Sequence, residues 1–194
     1  MCSSDLYALR QGFRPYLPYL GTRVAFTPRF YIWDGAGSGC GIVWNCASQC
    51  INNQLYCNID PDGDLDKGIS GADVVVENLR QMCVWQQANQ TYDSDYGARW
   101  WAYADAFAER CNTPQTWSLA CAEAAMTSVG INPYWIRNCV SQSNATVDPS
   151  KGIYINTLLQ ESVDLRNEMA IAVLPSAIVN DVVLRGGVQP SNVM

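Results

Sequence analysis

Nine cysteines and no histidine are the strongest constraint on what this chain can fold into. Cys2, Cys40, Cys46, Cys50, Cys57, Cys83, Cys111, Cys121 and Cys139 all lie before residue 140, and no two are spaced as Cys-x-x-Cys. Zinc is usually held by paired Cys knuckles, often completed by His, and neither is present. The cysteines therefore read as structural disulfides of unknown pairing, with no metal, formed in an oxidising compartment. An odd count leaves at least one of them with a partner outside the chain.

Two further features agree with a secretory lumen. Asn89-Gln90-Thr91 and Asn144-Ala145-Thr146 are N-glycosylation sequons. Polar residues follow Met1 directly, without the charged and apolar regions of a signal peptide, and no apolar run is long enough to span a bilayer. A lumenal chain with those properties is expected to be a segment of a larger protein. The net charge of −6 argues against nucleic acid or an anionic membrane as partner, since both select clustered Lys and Arg. A partner of basic character suits it better.

Local patterns give the element order. Ser3, Ser4 and Asp5 cap a helix to about residue 11, and residues 23–33 read as a strand with Pro28 at a bulge or edge. The glycines of 35–41 do not complete a dinucleotide fingerprint, because its third glycine falls on Cys40. Asp62, Asp64 and Asp66 alternate as in a calcium loop, yet Lys67 stands where that loop turns on glycine and Asp73 where it needs Glu. They form a weak calcium candidate; the plainer reading is a solvated acidic turn with Asp73 capping the next helix. Helices are expected at about 73–88, 98–110, 116–129 and from Pro133, the second ending at Arg110 beside Cys111 and the last carrying Cys139. A polar loop over 141–151, a helix over 156–168, and strands over 170–179 and 182–185 joined at Asn180-Asp181 complete the chain. The order is that of an α/β fold with a helical insertion.

Resemblance adds to this reading. Leu174-Pro175 with the hairpin that follows, through Arg185-Gly186-Gly187, resembles the cis-proline strand and hairpin of thioredoxin-like folds, and DsbA-type oxidoreductases share the element order. A closer likeness covers nearly the whole chain. It is carried by Phe26-Thr27-Pro28, Gln49-Cys50-Ile51-Asn52, Tyr56-Cys57, Asp60-Pro61, Asn78-Leu79-Arg80-Gln81, Trp100-Trp101, Arg110-Cys111 and Leu174-Pro175. These residues, with the spacings of Cys46, Cys50, Cys57 and Cys83 and of Cys121 and Cys139, resemble the thioredoxin-like central region of plant and algal vacuolar sorting receptors. The Gly-rich loop before Cys46 departs from that pattern, and Ala102 stands where the family tends to carry Asp.

The resemblance implies a thioredoxin-like α/β fold with a disulfide-rich helical insertion, its N-terminal strand and C-terminal helix falling outside the chain. Residues 1–36 would supply the helix and strand of the core, 37–168 the Cys-rich insertion, and 169–194 the strand and hairpin with cis Pro175. It also implies a lumenal Golgi or prevacuolar module of a single-pass membrane receptor. That module would bind soluble vacuolar cargo beside protease-associated and EGF-like domains, with calcium bound, if anywhere, in the parent protein. By the same likeness Cys2 would be bridged to a cysteine just upstream. The segment itself would touch neither membrane nor nucleic acid and need no cofactor. The alternative is a DsbA-like thiol-disulfide oxidoreductase, which requires an activated thiol and a resolving partner. Cys46 and Cys50 are the nearest pair, and their spacing suits two separate staples. Without His, a Ser/His or Cys/His constellation cannot be built, so no catalytic residue is expected.

Overall fold

A computed structural model describes residues 11–16, 19, 26–91, 97–144, 146–148 and 153–185. The helix expected before residue 11, Cys2 and the Gly186-Gly187 pair lie outside the described residues. After a 3-10 turn at Arg14–Tyr16, the chain runs through β1 (Trp33–Asp34), β2 (Cys50–Ile51) and β3 (Tyr56–Cys57). Four helices follow: α1 (Gly71–Thr91), α2 (Ala98–Arg110), α3 (Leu119–Ser128) and α4 (Pro133–Gln142). The remainder is β4 (Thr146–Asp148), β5 (Ile153–Ile155), α5 (Thr157–Glu168), β6 (Ser176–Val179) and β7 (Val182–Arg185). The strands form an antiparallel sheet in the order β1-β3-β2 and two hairpins, β4-β5 and β6-β7.

Helix boundaries follow their local chemistry. Ser70, rather than Asp73, caps α1. The Ser70 hydroxyl accepts from the Asp73 amide at 3.1 Å, while the Asp73 carboxylate accepts from the Ser70 amide at 3.0 Å. This reciprocal box satisfies two amides that the first turn leaves unpaired. Ser118 caps α3 through the Cys121 amide, and Gly130 beyond that helix adopts φ 76°. Asn132 caps α4 with Pro133 in its first turn, where a missing N–H costs nothing.

Helix α1 lies at the centre, against α2, α4, α5, β2 and β3. One side packs on α2, α3 and α4 through Trp100, Trp101, Tyr103, Phe107, Met126 and Ile136. Phe26 closes that core, its ring centroid 5.0 Å from Trp101 and 5.5 Å from Trp85. The other side packs Val75, Leu79 and Met82 against Ile32, Tyr56, Leu159 and Val163. Between helices the fully buried Glu77 accepts from Tyr103 Oη at 2.8 Å and Gln81 Nε2 at 3.3 Å, and pairs with Arg80 at 2.8 Å. Burial pushes its carboxyl up despite these partners, and burial together with the Glu77 charge pushes the Tyr103 phenol up as well.

Three expectations need correction. Residues 26–32 are not strand: Pro28 lacks a ladder donor, and the Tyr31 carbonyl is taken by the Asn58 side chain at 2.7 Å. The polar stretch over 141–151 is not all loop, since Thr146 pairs with Ile155 and Asp148 with Ile153. The strand expected over 170–179 begins only at Ser176, because Ala170 takes φ 50° at the end of α5 and residues 173–175 bend.

Candidate functional site

The state of the sulfur atoms decides which chemistry is open to this chain. Eight cysteines form four bridges: Cys40–Cys46, Cys50–Cys57, Cys83–Cys139 and Cys111–Cys121. Cys46 and Cys50, four residues apart in sequence, belong to different bridges. Cys50 and Cys57 sit opposite each other on β2 and β3, so their bridge crosses the sheet register. Cys111 follows the last residue of α2 and ties it to the first turn of α3. Cys83–Cys139 joins α1 to α4. Among the described residues the one convergence of potential metal-ligating atoms is Cys40, Cys50 and Cys57, and all three sulfurs are already bridged.

The calcium candidates do not converge. Asp62 accepts from the amides of Asp64 at 3.0 Å and Ile69 at 3.2 Å, and these bonds hold its carboxyl below the usual range. Asp64 accepts from the Asp66 amide at 3.2 Å, and Asp60 from the amides of Asp62 and Gly63. The carboxylates thus turn onto their own loop. Gly68, at φ 83°, is needed there, because a Cβ would come within 1.9 Å of Asp62 Oδ2.

Leu174-Pro175 is cis, and Pro175 is buried between the half-exposed Leu174 and Ser176. Behind it β6 and β7 pair from Ser176↔Arg185 to Val179↔Val182. Asn180 and Asp181 take φ of 48° and 64°, which two-residue hairpin turns of this hand require. The Arg185 guanidinium donates to the Met169 and Ala170 carbonyls at 3.4 Å, tying the hairpin to the end of α5. Among the described residues the outer edge of β6 pairs with no strand. Of the sequons, Asn89 falls in the last turns of α1. The Asn144 side-chain oxygen accepts from Asn52 at 3.2 Å and from the buried Asn156 at 3.0 Å. The last two contacts were not foreseeable from the sequence, since they join residues 92 and 12 positions apart.

Comparison with known proteins decides the family. The profile described as "Vacuolar sorting receptor thioredoxin-like domain" matches residues 8–194. The chain belongs to that family. It is 36% identical over 154 residues to vacuolar-sorting receptor 4 of Arabidopsis thaliana, covering 77% of this chain and 23% of the relative. With vacuolar-sorting receptor 1 of Pisum sativum the identity is 32% over 179 residues, covering 90% of this chain and 27% of the relative. The chain thus spans about a quarter of the length of these relatives. It is a thioredoxin-like α/β domain with a disulfide-bearing helical insertion, as the sequence resemblance implied. No described helix is long and apolar enough to cross a membrane.

Proposed function

We propose that this domain is a redox-inactive lumenal module of a vacuolar sorting receptor, adding surface for soluble cargo during transport from Golgi to vacuole. One observation carries the reading: the cis-proline hairpin is present, but no described cysteine is left as a free thiol. Residues 140–194 contain no cysteine, and the eight described cysteines are consumed as bridges. A thiol oxidoreductase needs a thiolate facing this proline and a second thiol to resolve the mixed disulfide. Here β6 offers backbone donors and acceptors, and Val173, Leu174 and Val182, each about half exposed, flank them. An extended peptide can add to such an edge, main-chain bonds giving affinity and flanking pockets giving selectivity. The neighbouring domains of the parent receptor would complete the cargo surface. The two sequons, Asn89 and Asn144, are the proposed glycan acceptors.

The test pairs two assays on the disulfide-formed chain. Soluble vacuolar proteins are expected to bind it, and replacing Ser176 by Pro, which narrows the backbone choices at the edge, should weaken that binding. In an insulin-reduction assay the chain should not exceed the dithiol background. Sustained catalytic turnover would overturn the proposal in favour of a DsbA-like oxidoreductase.

A further inference from the structure

Two of the bridges are separate in connectivity but adjacent in space. The Sγ atoms of Cys40, Cys50 and Cys57 all lie within 4.8 Å of one another, although Cys40 is bonded to Cys46 and Cys50 to Cys57. These three cysteines are buried, whereas Cys46, packed against them, is half-buried. Cys46 is therefore the most accessible sulfur of the cluster. The loop that its bridge closes projects into solvent, with Ile42, Val43 and Trp44 all largely exposed. Residues 35–59 include no charged side chain, so none of them stabilises a thiolate.

Disulfides exchange when a thiolate attacks one of their sulfurs, and access decides which one. Attack on Cys46 makes Cys40 the leaving group, and the Cys40 thiolate is released beside the second bridge. Burial away from any cation makes that thiolate costly, so it is discharged onto a neighbouring sulfur. Cys40 lies in the glycine-rich loop, whereas Cys50 and Cys57 stand opposite each other on the β2-β3 ladder. A change of rotamer at Cys40 covers a distance of the order that separates the sulfurs. The surroundings then select Cys50 as the atom attacked and Cys57 as the group released. Cys57 Sγ lies 3.7 Å from the Gln54 carbonyl oxygen, an acceptor that a bridged sulfur cannot use and a free Cys57 thiol can. Gln54 also holds the point of entry, its Oε1 accepting from the Cys46 amide at 2.6 Å.

We propose that Cys46 is a modification site for a small monothiol, and that the modification is completed by exchange within the neighbouring bridge. The thiolate of the monothiol bonds to Cys46 Sγ, and the Cys40–Cys46 bond breaks with its electron pair on Cys40. Cys40 Sγ bonds to Cys50 Sγ, and the Cys50–Cys57 bond breaks with its pair on Cys57. Cys57 takes up the proton that the incoming thiol gave and donates it to the Gln54 carbonyl. Two protein bridges and one thiol become one protein bridge, one mixed disulfide and one buried thiol. The number of disulfide bonds is unchanged, so nothing is oxidised or reduced overall. The exchange takes one thiol per chain and stops; it supplies no electrons to insulin, and it stands or falls independently of cargo binding.

The test uses the disulfide-formed chain carrying Cys2→Ser, so that no other thiol competes. It is treated with glutathione, trapped with N-ethylmaleimide and mapped by mass spectrometry without reduction. Glutathione on Cys46, the maleimide on Cys57 and a Cys40–Cys50 cross-link are the expected products. Maleimide on Cys40 beside an intact Cys50–Cys57 bridge, a Cys40–Cys57 cross-link, or glutathione entering at another bridge first would each overturn the proposal. Adding Cys46→Ser places the Cys40 thiol in the cluster with no external thiol at all. The maleimide should then mark Cys57 more than Cys40, and the reverse, with Cys50–Cys57 intact, would also overturn it. Near-UV dichroism matching the parent chain shows that variant folded; if it does not fold, the glutathione map of the four-bridge chain decides alone.

Discussion

Among the four described bridges, removing Cys83–Cys139 should be the most costly single loss. A bridge constrains the unfolded ensemble in proportion to the logarithm of the loop it closes. With 56 residues between Cys83 and Cys139, the chain-entropy relation gives about 4.2 kcal/mol. The 6-residue separation of Cys40 and Cys46 gives about 2.2 kcal/mol. Packing does not blur the contrast much, because Cys83 and Cys40 are both buried, at 0% and 6% exposure, and their partners are both half-buried. The double variant Cys83→Ala/Cys139→Ala is therefore expected to lose about 2 kcal/mol more than Cys40→Ala/Cys46→Ala. For a chain of this size, a loss of about 4 kcal/mol lowers Tm by roughly 8–16 °C. Guanidinium unfolding followed by tryptophan fluorescence and far-UV dichroism measures both, with a constant m-value as the check on two-state behaviour. If the long bridge proves no more valuable than the short one, loop entropy is not what these bridges contribute.

Glu77 gives a pH dependence with a definite sign. Its folded pKa lies above the ordinary value of 4.5, so folding favours the protonated form. That contribution is complete below the unfolded pKa and is lost as pH rises through the folded one. The stability of the wild-type chain minus that of Glu77→Gln should thus fall between pH 4.5 and neutrality, and a difference flat across that range would refute it. Asn156→Ala removes the α5 cap on the Leu159 amide together with bonds to Ser143 at 2.7 Å and Asn144 at 3.0 Å. The expected loss is about 2–3 kcal/mol by denaturant titration. Gly35→Ala would place a Cβ 2.1 Å from the Gln54 carbonyl oxygen and 2.5 Å from Cys57 Sγ. Since the obstacle is backbone and a bridged sulfur, a cost of at least about 2 kcal/mol is expected, read as a shift in the denaturation midpoint.

What the sequence disclosed depended on the range of the interactions involved. Helices α2 and α4 were legible because periodic aromatics, Pro133 and the boundary at Cys111 act within one or two turns. The Asn180-Asp181 turn was legible for the same reason. Asp73 marks the start of α1 in sequence without revealing its part: an acidic residue near a helix start is either the cap or its reciprocal partner, and only the Ser70 geometry separates the two. Strand β4 escaped notice because three ladder pairs leave almost no alternation to detect. The 26–32 segment shows the opposite failure. Phe26, Phe30 and Ile32 alternate like a strand, yet their burial is met by α1, α2 and α5 rather than by a ladder. The Asn144 contacts were invisible, since they join Asn52, Asn144 and Asn156 across long stretches of chain.

The pattern of bridging also separates what is rigidly tied from what is free to adjust. Three bridges close separations of 6, 7 and 10 residues and secure local turns. Among the described bridges only Cys83–Cys139 spans a long stretch, and it encloses the Cys111–Cys121 bridge, so α1 to α4 are held as a unit. Helix α5 and the hairpin carry no sulfur and are kept by weaker means: Leu159 and Val163 in the core, the Asn156 network, and Arg185 on the carbonyls ending α5. Local opening follows the least-secured contacts. The β6 edge belongs to this unbridged part, so a peptide added there would meet the hairpin through its least-secured contacts, while the bridged helices stay as they are.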